Sequence, residues 1–387
     1  MKILKKISIK DISGIFIFIL LIVPAFIRKH IIKKELWLVC EHLTARDNGY
    51  FFFKYMREKH PEIDCYYAMD LKHNDYEKVK PLGNVIKWGS IKHYYYYMSA
   101  TWNLSSHKNG CPNHLLFSAL RLKLNLYNNF VFLQHGITSN NLSMFHKKNA
   151  KFKIFIAGAK PEADYLTNQF NYDNNEVRYT GFARFDNLHN TKTDNDTILF
   201  MPTWRRWLTN DNDLIESEYF KRIDSLLANK ELEKLLEKYN KKLIFCAHGG
   251  LKDICSNFKT TSKNIQIIDV NSTNIQELLI KGSILITDYS SIHFDFAYMK
   301  KPVLYYQYDV DNFLKNHIGK DFEQTYYKYT RDCFGPIAYD EKEMLKTLEK
   351  IIKSNNKVEK EYIEKIEKFF PLCDSENCKR IYEELTK

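Results

Sequence analysis

From Glu35 onward, short apolar runs alternate with longer stretches in which apolar residues recur at helical spacing. The runs LWLVC, IDCYYAM, NVIKWG, WNLSS, FVFLQHG and FKIFIAG predict strands, and GYFFFKYMREKH and SIKHYYYYMSA predict helices. Alternation of this kind implies βαβ units and a mostly parallel sheet. The pattern then restarts: TILFMPTW, KLIFCAHGG, NIQIIDV, ILITDYSS and PVLYYQY read as strands. Between them lie helical EYFKRIDSLLANKELEKLLEKY, NIQELLIKG and SIHFDFAYMK. The polar stretch from Asn187 to Thr197 separates the two series and reads as a linker, because it has few apolar residues. A last helical region, Asp340 to Lys387, closes the chain. The expectation is an α/β protein of two domains, residues 35–190 and 191–387, with the terminal helices in the second. In open α/β sheets ligands sit beyond the carboxyl ends of the strands, so two such domains would leave a cleft with functional residues at those ends.

Before this alternation comes a different kind of segment. Ile12 to Ile27 is almost wholly apolar, with Lys2, Lys5, Lys6 and Lys10 before it and Arg28, Lys29, Lys33 and Lys34 after it. As a helix it would measure about 24 Å at about 1.5 Å per residue, short of the roughly 30 Å hydrocarbon core of a bilayer. Pro24 would kink its last turn, and PAFIRKHIIKK makes a poor signal-cleavage site. Basic residues on both sides fit a segment that dips into or lies along the cytoplasmic leaflet. Residues 1–34 are therefore expected to form a membrane-associating helix on an anionic membrane surface. A buried core helix or a cleaved signal are the competing readings.

At 387 residues the chain exceeds one compact core, and 44% hydrophobic with 27% charged residues is a folded composition. The formal charge of +11 calls for an anionic partner, although much of it is scattered lysine. Nucleic acid is not the expected one, because the aromatics lie within strand and helix patterns instead of interleaving with basic residues. The eight cysteines are dispersed without zinc spacing, as in a reduced, cytosolic chain.

Four strand ends carry chemistry-capable groups. Gln134-His135-Gly136 follows FVFL, and Pro202-Thr203-Trp204-Arg205-Arg206 follows ILFM. His248-Gly249-Gly250 follows LIFCA, and Thr287-Asp288-Tyr289-Ser290-Ser291 follows ILI. Each has a bland reading: a surface histidine, a salt-bridge arginine, a helix N-cap serine. Taken together they suit a phosphorylated ligand. A helix opening after Ser291 would offer free N–H groups, and Arg205 or Arg206 would offer a bidentate fork. Gly136, Gly249 and Gly250 would allow close backbone approach, and two histidines would supply a base and a charge stabiliser. No GxGxxG, GxxxxGK[ST] or metal-ligand cluster is present, which argues against dinucleotide, P-loop and metal readings.

FLQHGIT, MPTWR and LITDYSSIHFDFAYMKKPVLYY, with the spacing between them, resemble the CDP-glycerol glycerophosphotransferases. RDNGYFFFKYMREKHPEIDCYYAMD and GFARFDNLH are similar to further segments of that family, so the resemblance covers most of the chain after residue 35. It implies a GT-B-like architecture, two Rossmann-like domains facing across a cleft, with no metal or other cofactor. It also implies a peripheral enzyme on the cytoplasmic face of a bacterial membrane. Such an enzyme transfers glycerol phosphate from CDP-glycerol to a lipid-linked or polymeric glycan acceptor in teichoic acid or capsular polymer synthesis. In that scheme an acceptor hydroxyl attacks the β-phosphate and CMP leaves. His135 is the acceptor-side catalytic base, and His248 sits near the donor diphosphate with Gly249 beside it. Thr203, Arg205, Thr287, Ser290 and Ser291 bind the donor. Asp288 orients a histidine, binds donor hydroxyls or caps its helix. The chain departs from the family in having HGITSNN after the first histidine and His248-Gly249 where His-Pro is common. CDP-ribitol as donor, or a nucleotide-sugar glycosyltransferase on the same fold, are the alternatives.

Overall fold

The computed structural model describes residues 9–189, 192–208, 211–247, 257–269, 273–318 and 325–387. The chain condenses into two compact units, one built mainly from residues before Asn187 together with Asp374–Lys387, the other from Asn187–Cys373.

The first unit contains a seven-stranded sheet in the order β3-β2-β1-β4-β5-β6-β7. Its strands are β1 Leu36–Cys40, β2 Asp64–Met69, β3 Val85–Lys87, β4 Trp102–Ser105, β5 Phe130–Phe132, β6 Ile154–Ala157 and β7 Val177–Tyr179. Every pairing is parallel. A parallel sheet is covered on both faces, so its central strands read as unbroken apolar runs; all five residues of β1 are buried. The covering helices start at polar caps. Asp47 accepts from the Asn48 N–H, Ser90 from His93 and Asn113 from Leu116.

The second unit contains a six-stranded parallel sheet in the order β10-β9-β8-β11-β12-β13. Its strands are β8 Thr197–Phe200, β9 Lys242–Ala247, β10 Ile265–Asp269, β11 Ile284–Thr287, β12 Val303–Tyr306 and β13 Ile337–Ala338. The long helical run after β8 divides into Glu218–Leu227 and Lys230–Lys238. Asn229 breaks it, accepting from the Glu231 and Leu232 N–H groups as the cap of the second piece.

The C-terminal residues are a correction. They were expected in the second domain, but helix Asn377–Thr386 belongs to the first unit. Asp186 is the reason, because its carboxylate accepts the N–H groups of Asn377 (2.8 Å) and Cys378 (2.9 Å) and so caps the helix from a distance. Gly181 leaves room for this: φ is +78°, and a Cβ there would stand 1.7 Å from Asn377 Oδ1. Arg178–Glu384 (2.7 Å) and a hydrogen bond from Trp102 Nε1 to the Leu385 carbonyl (3.0 Å) fasten the rest.

The N-terminal segment is longer than its apolar run predicts. Helix Ile9–Phe26 passes through Pro24 and continues as a π-helical turn, Ile27–Ile32, ended by Lys33 at φ +55°. Asp11–Ile32 is long and apolar enough to cross a membrane by length and composition, and most of it is not buried by protein. One stripe packs on the first unit, where Phe18 meets the rings of Phe117 and Tyr127 (5.9 Å each) and Ala25 is buried.

Candidate functional site

In the first unit the turn after β5 carries His135. The left-handed residue of this turn is Gln134, at φ +59°. Three groups hold it there. Gln134 Nε2 donates to the Ile156 carbonyl (2.6 Å) and to Glu162 Oε1 (3.1 Å). Thr138 Oγ1 returns a bond to Gln134 Oε1 (2.7 Å). Glu162, fully buried, also accepts from the backbone N–H groups of Thr138 (2.5 Å) and Gly158 (2.7 Å). Burial pushes the Glu162 pKa up to about 7, against the pull of the Thr138 and Gly158 donors.

From the opposite side Asn48 Nδ2 donates to the carbonyls of Leu133 (3.2 Å) and Gln134 (2.8 Å), while its Oδ1 accepts from the Arg184 N–H. Arg184 Nη1 donates to the His135 carbonyl (3.0 Å) and pairs with Asp47 (3.1 Å). Asn48 lies in RDNGYFFF and Arg184 in GFARFD, so both segments brace the histidine turn.

The His135 ring lies at a cavity of about 440 Å³ lined also by Glu41, His42, His107, Lys108 and Phe145. The residue keeps an accessible face although protein crowds round it, and that face makes it reachable. Desolvation, with His107 and Arg184, lowers its pKa to about 4, opposed by a hydrogen bond to the Ser106 carbonyl. His107, 5.6 Å from His135 between ring centroids, was not singled out from sequence. It follows β4, so looking just past every strand would have found it. Glu41, just past β1, was also passed over. It accepts from the N–H groups of Arg46, Asp47 and Tyr50 and from the hydroxyls of Tyr67 and Ser106. Gly49 permits this approach, since a Cβ there would meet Glu41 Oε1 at 2.8 Å.

In the second unit several of the residues expected to bind the donor have side chains engaged by other parts of the unit. Arg205 is completely buried. Its Nε and Nη2 take both oxygens of Asp309 (2.7 and 2.9 Å). Its Nη1 donates to Asp288 Oδ2 (2.8 Å) and to the Thr203 carbonyl (2.6 Å). The rings of Tyr219, Phe313 and Tyr289 enclose it, 4.8–5.4 Å from ring centroid to guanidinium. Burial alone would lower its pKa, but Asp288, Asp309 and Tyr308 outweigh that and hold it well above its ordinary value. The fork expected to clasp a phosphate is already filled; of the arginine pair, Arg206 is the exposed one.

Asp288 is likewise engaged, accepting from the N–H groups of Thr203 (2.7 Å) and Tyr289 (2.6 Å) besides Arg205. It ties the end of β8 to the end of β11 and is buried. Thr287 is also buried, and its hydroxyl donates to the Met201 carbonyl (2.7 Å). Ser291, at the start of the short helix Ile292–Tyr298, is exposed and its hydroxyl makes no cap, while Ser290 is half-buried. Thr203 Oγ1 is buried without a hydrogen-bond partner among the described residues. His248, Gly249 and Gly250 lie outside the described residues.

Glu162→Ala would strand the Thr138 and Gly158 donors and free Gln134, at about 1–3 kcal/mol for each buried group left unsatisfied. The urea midpoint should fall accordingly, with Glu162→Gln intermediate. An unchanged midpoint for the alanine variant would remove Glu162 as the support of the turn.

Comparison with known proteins places this arrangement. The chain is 30% identical over 365 residues to the minor teichoic acid biosynthesis protein GgaB of Bacillus subtilis, covering 90% of this chain and 39% of that one. It is 23% identical over 373 residues to a teichoic acid poly(glycerol phosphate) polymerase of Staphylococcus epidermidis, covering 86% of this chain and 47% of that one. The chain thus spans less than half the length of these two relatives. A solved structure of the wall teichoic acid polymerase TagF superposes with a TM-score of 0.68 at 19% identity over 98% of both chains, establishing the GT-B-like fold. Residues 21–387 match the family described as CDP-Glycerol:Poly(glycerophosphate) glycerophosphotransferase, and the chain belongs to that family.

Proposed function

We propose that the chain transfers glycerol phosphate from CDP-glycerol to a hydroxyl of a lipid-linked or polymeric acceptor in teichoic acid-type synthesis. The acceptor oxygen bonds to the β-phosphorus, the bond to the CMP oxygen breaks, and the hydroxyl proton passes to His135. The observation that carries this reading is the His135 turn. A reachable imidazole at a cavity stands on a turn that Asn48, Glu162 and Arg184 hold in place. Phosphoryl transfer asks the protein mainly for positioning and charge stabilisation.

On the donor side, Thr203, with an unsatisfied hydroxyl, and Ser290 and Ser291 are assigned to the donor. Arg205, Asp288 and Thr287 are positioning residues that hold those strand ends. No cofactor is assigned. The segment 12–27 is assigned to contact with the cytoplasmic face of the membrane, supported by its exposed apolar side chains and basic flanks.

A donor screen detecting released CMP or nucleoside diphosphate, with lipid-linked acceptors and in the presence of a chelator, tests the assignment. CDP-glycerol should turn over with acceptor present. Turnover with CDP-ribitol or a UDP-sugar alone would replace the donor, and loss of CMP release in the chelator would overturn the cofactor-free assignment.

A further inference from the structure

We propose that the amino-terminal edge of the first sheet carries a pocket for the phosphate headgroup of an anionic phospholipid. The proposal deepens the membrane contact assigned to residues 12–27. A cavity of about 470 Å³ is lined by Lys29, His30, Lys33, Lys34 and Lys153, and among the described residues lining it none is acidic. Lys34 is partly engaged by Asp64 at 2.9 Å; Lys29, Lys33 and Lys153 carry the site. A second cavity of about 530 Å³ shares Lys153 and adds Lys147, Lys148 and Lys151. Its one carboxylate, Glu176, is paired with Lys147 at 2.7 Å.

Position separates this pocket from the His135 site. Lys33 and Lys34 precede β1, Asn129, which also lines the pocket, precedes β5 and Lys153 precedes β6, whereas His135 follows β5. The pocket and the histidine therefore occupy opposite edges of one sheet. β1 alone has five residues, or roughly 17 Å at about 3.3 Å per residue. A lipid phosphate held there is not the reacting end of the acceptor.

The surroundings point to a lipid as occupant. Ile31 is 68% and Leu124 62% exposed, with Ile32 and Leu126 also exposed, so apolar side chains flank the basic rim. The loop that bears Leu126 is joined to the N-terminal helix through Tyr127, whose ring meets Phe18 at 5.9 Å. The helix is fastened along its length. Asn113 Nδ2 donates to the Asp11 carbonyl, Phe18 packs on Phe117, and Ala25 is buried. A helix held this way lies along the unit, with its apolar face and the pocket rim available to one bilayer surface. A phosphatidylglycerol-type headgroup brings the negative charge the lysines demand, and acyl chains meet the isoleucines and leucines. A choline headgroup adds a cation that the same lysines repel.

Cosedimentation of the full chain with vesicles of phosphatidylcholine, alone or mixed with phosphatidylglycerol, tests this. The wild-type chain should bind the phosphatidylglycerol vesicles more tightly, and Lys29→Gln/Lys33→Gln/Lys153→Gln should lose that preference by about tenfold or more. Removing equal charge from the second unit, by Lys230→Gln/Lys234→Gln/Lys238→Gln, should leave it intact. An equal loss in both triples would overturn the pocket in favour of diffuse charge. An unchanged first triple, or titration of inorganic phosphate into the pocket without preference between vesicles, would overturn it too. A wild-type chain that binds neither vesicle would end the membrane reading along with the pocket. Vesicle binding is read without catalysis, so none of these outcomes depends on the transfer reaction.

Discussion

Replacing His135 with alanine should lower CMP release by about 10²- to 10⁴-fold, the usual contribution of a positioned general base, while the protein stays folded and binds CDP-glycerol as before. The fold is spared because Asn48, Glu162 and Arg184 hold the turn through the backbone and Gln134, not through the imidazole. The pH profile supplies a second, independent reading. An ordinary histidine base loses activity as pH falls through about 6.5. Here desolvation, His107 and Arg184 lower the pKa of His135 to about 4. The ring is thus neutral, and competent to take a proton, at every pH well above 4. The acid limb of kcat/KM reports groups of the free enzyme, so it should fall near pH 4. Unchanged turnover in His135→Ala would remove the base assignment. An acid limb near 6.5 with the alanine variant inactive would keep the base but contradict its crowded, cation-flanked environment.

Much of the layered architecture was legible because parallel strands buried on both faces announce themselves as apolar runs; LWLVC and TILF became β1 and β8. The two strands that escaped, β7 and β13, are three and two residues long and carry no such run. What sequence could not give is any feature decided between distant residues. Asp186 caps a helix 191 residues away, and no local pattern links the two. Gly136 reads as allowing close backbone approach, which does not say which residue of its turn is left-handed. The left-handed residue is Gln134, because Glu162, Thr138 and the Ile156 carbonyl hold its side chain.

The candidate site divides along the same line. His135 was legible as a titratable ring just past a strand, and it is reachable in the folded unit. His107 and Glu41 obey the same rule just past β4 and β1, but neither stands in a motif that marks it out in the sequence. The PTWR and TDYSS segments were legible as important but not in what way. A charged motif at a strand end serves a ligand or serves the strands, and only the partners of each side chain decide which. For Thr287, Asp288 and Arg205 the partners are other parts of the same unit.

Arg205 is where that distinction has its largest measurable consequence. Arg205→Ala should destabilise the second unit by about 3–5 kcal/mol, the cost of breaking a buried ion pair from one side. The loss is large because the two carboxylates left behind, Asp288 and Asp309, are themselves buried and 3% and 7% exposed at their side chains. Both would be left buried without the cation that accounts for three of their hydrogen bonds, whether they stay charged or take up a proton. Arg205→Lys should recover only part of the loss, since one ammonium cannot reproduce a fork on Asp309 and a separate bond to Asp288. Arg205→Met combined with Asp288→Asn and Asp309→Asn should recover more than the lysine, because it removes the stranded carboxylates. Urea denaturation of the four proteins reads the order directly. A phosphate-binding arginine predicts the opposite pattern: Arg205→Ala would keep the wild-type unfolding midpoint and lose donor affinity. Finding that pattern would return Arg205 to the donor site, and with it the assignment of Asp288 as a positioning residue would fall.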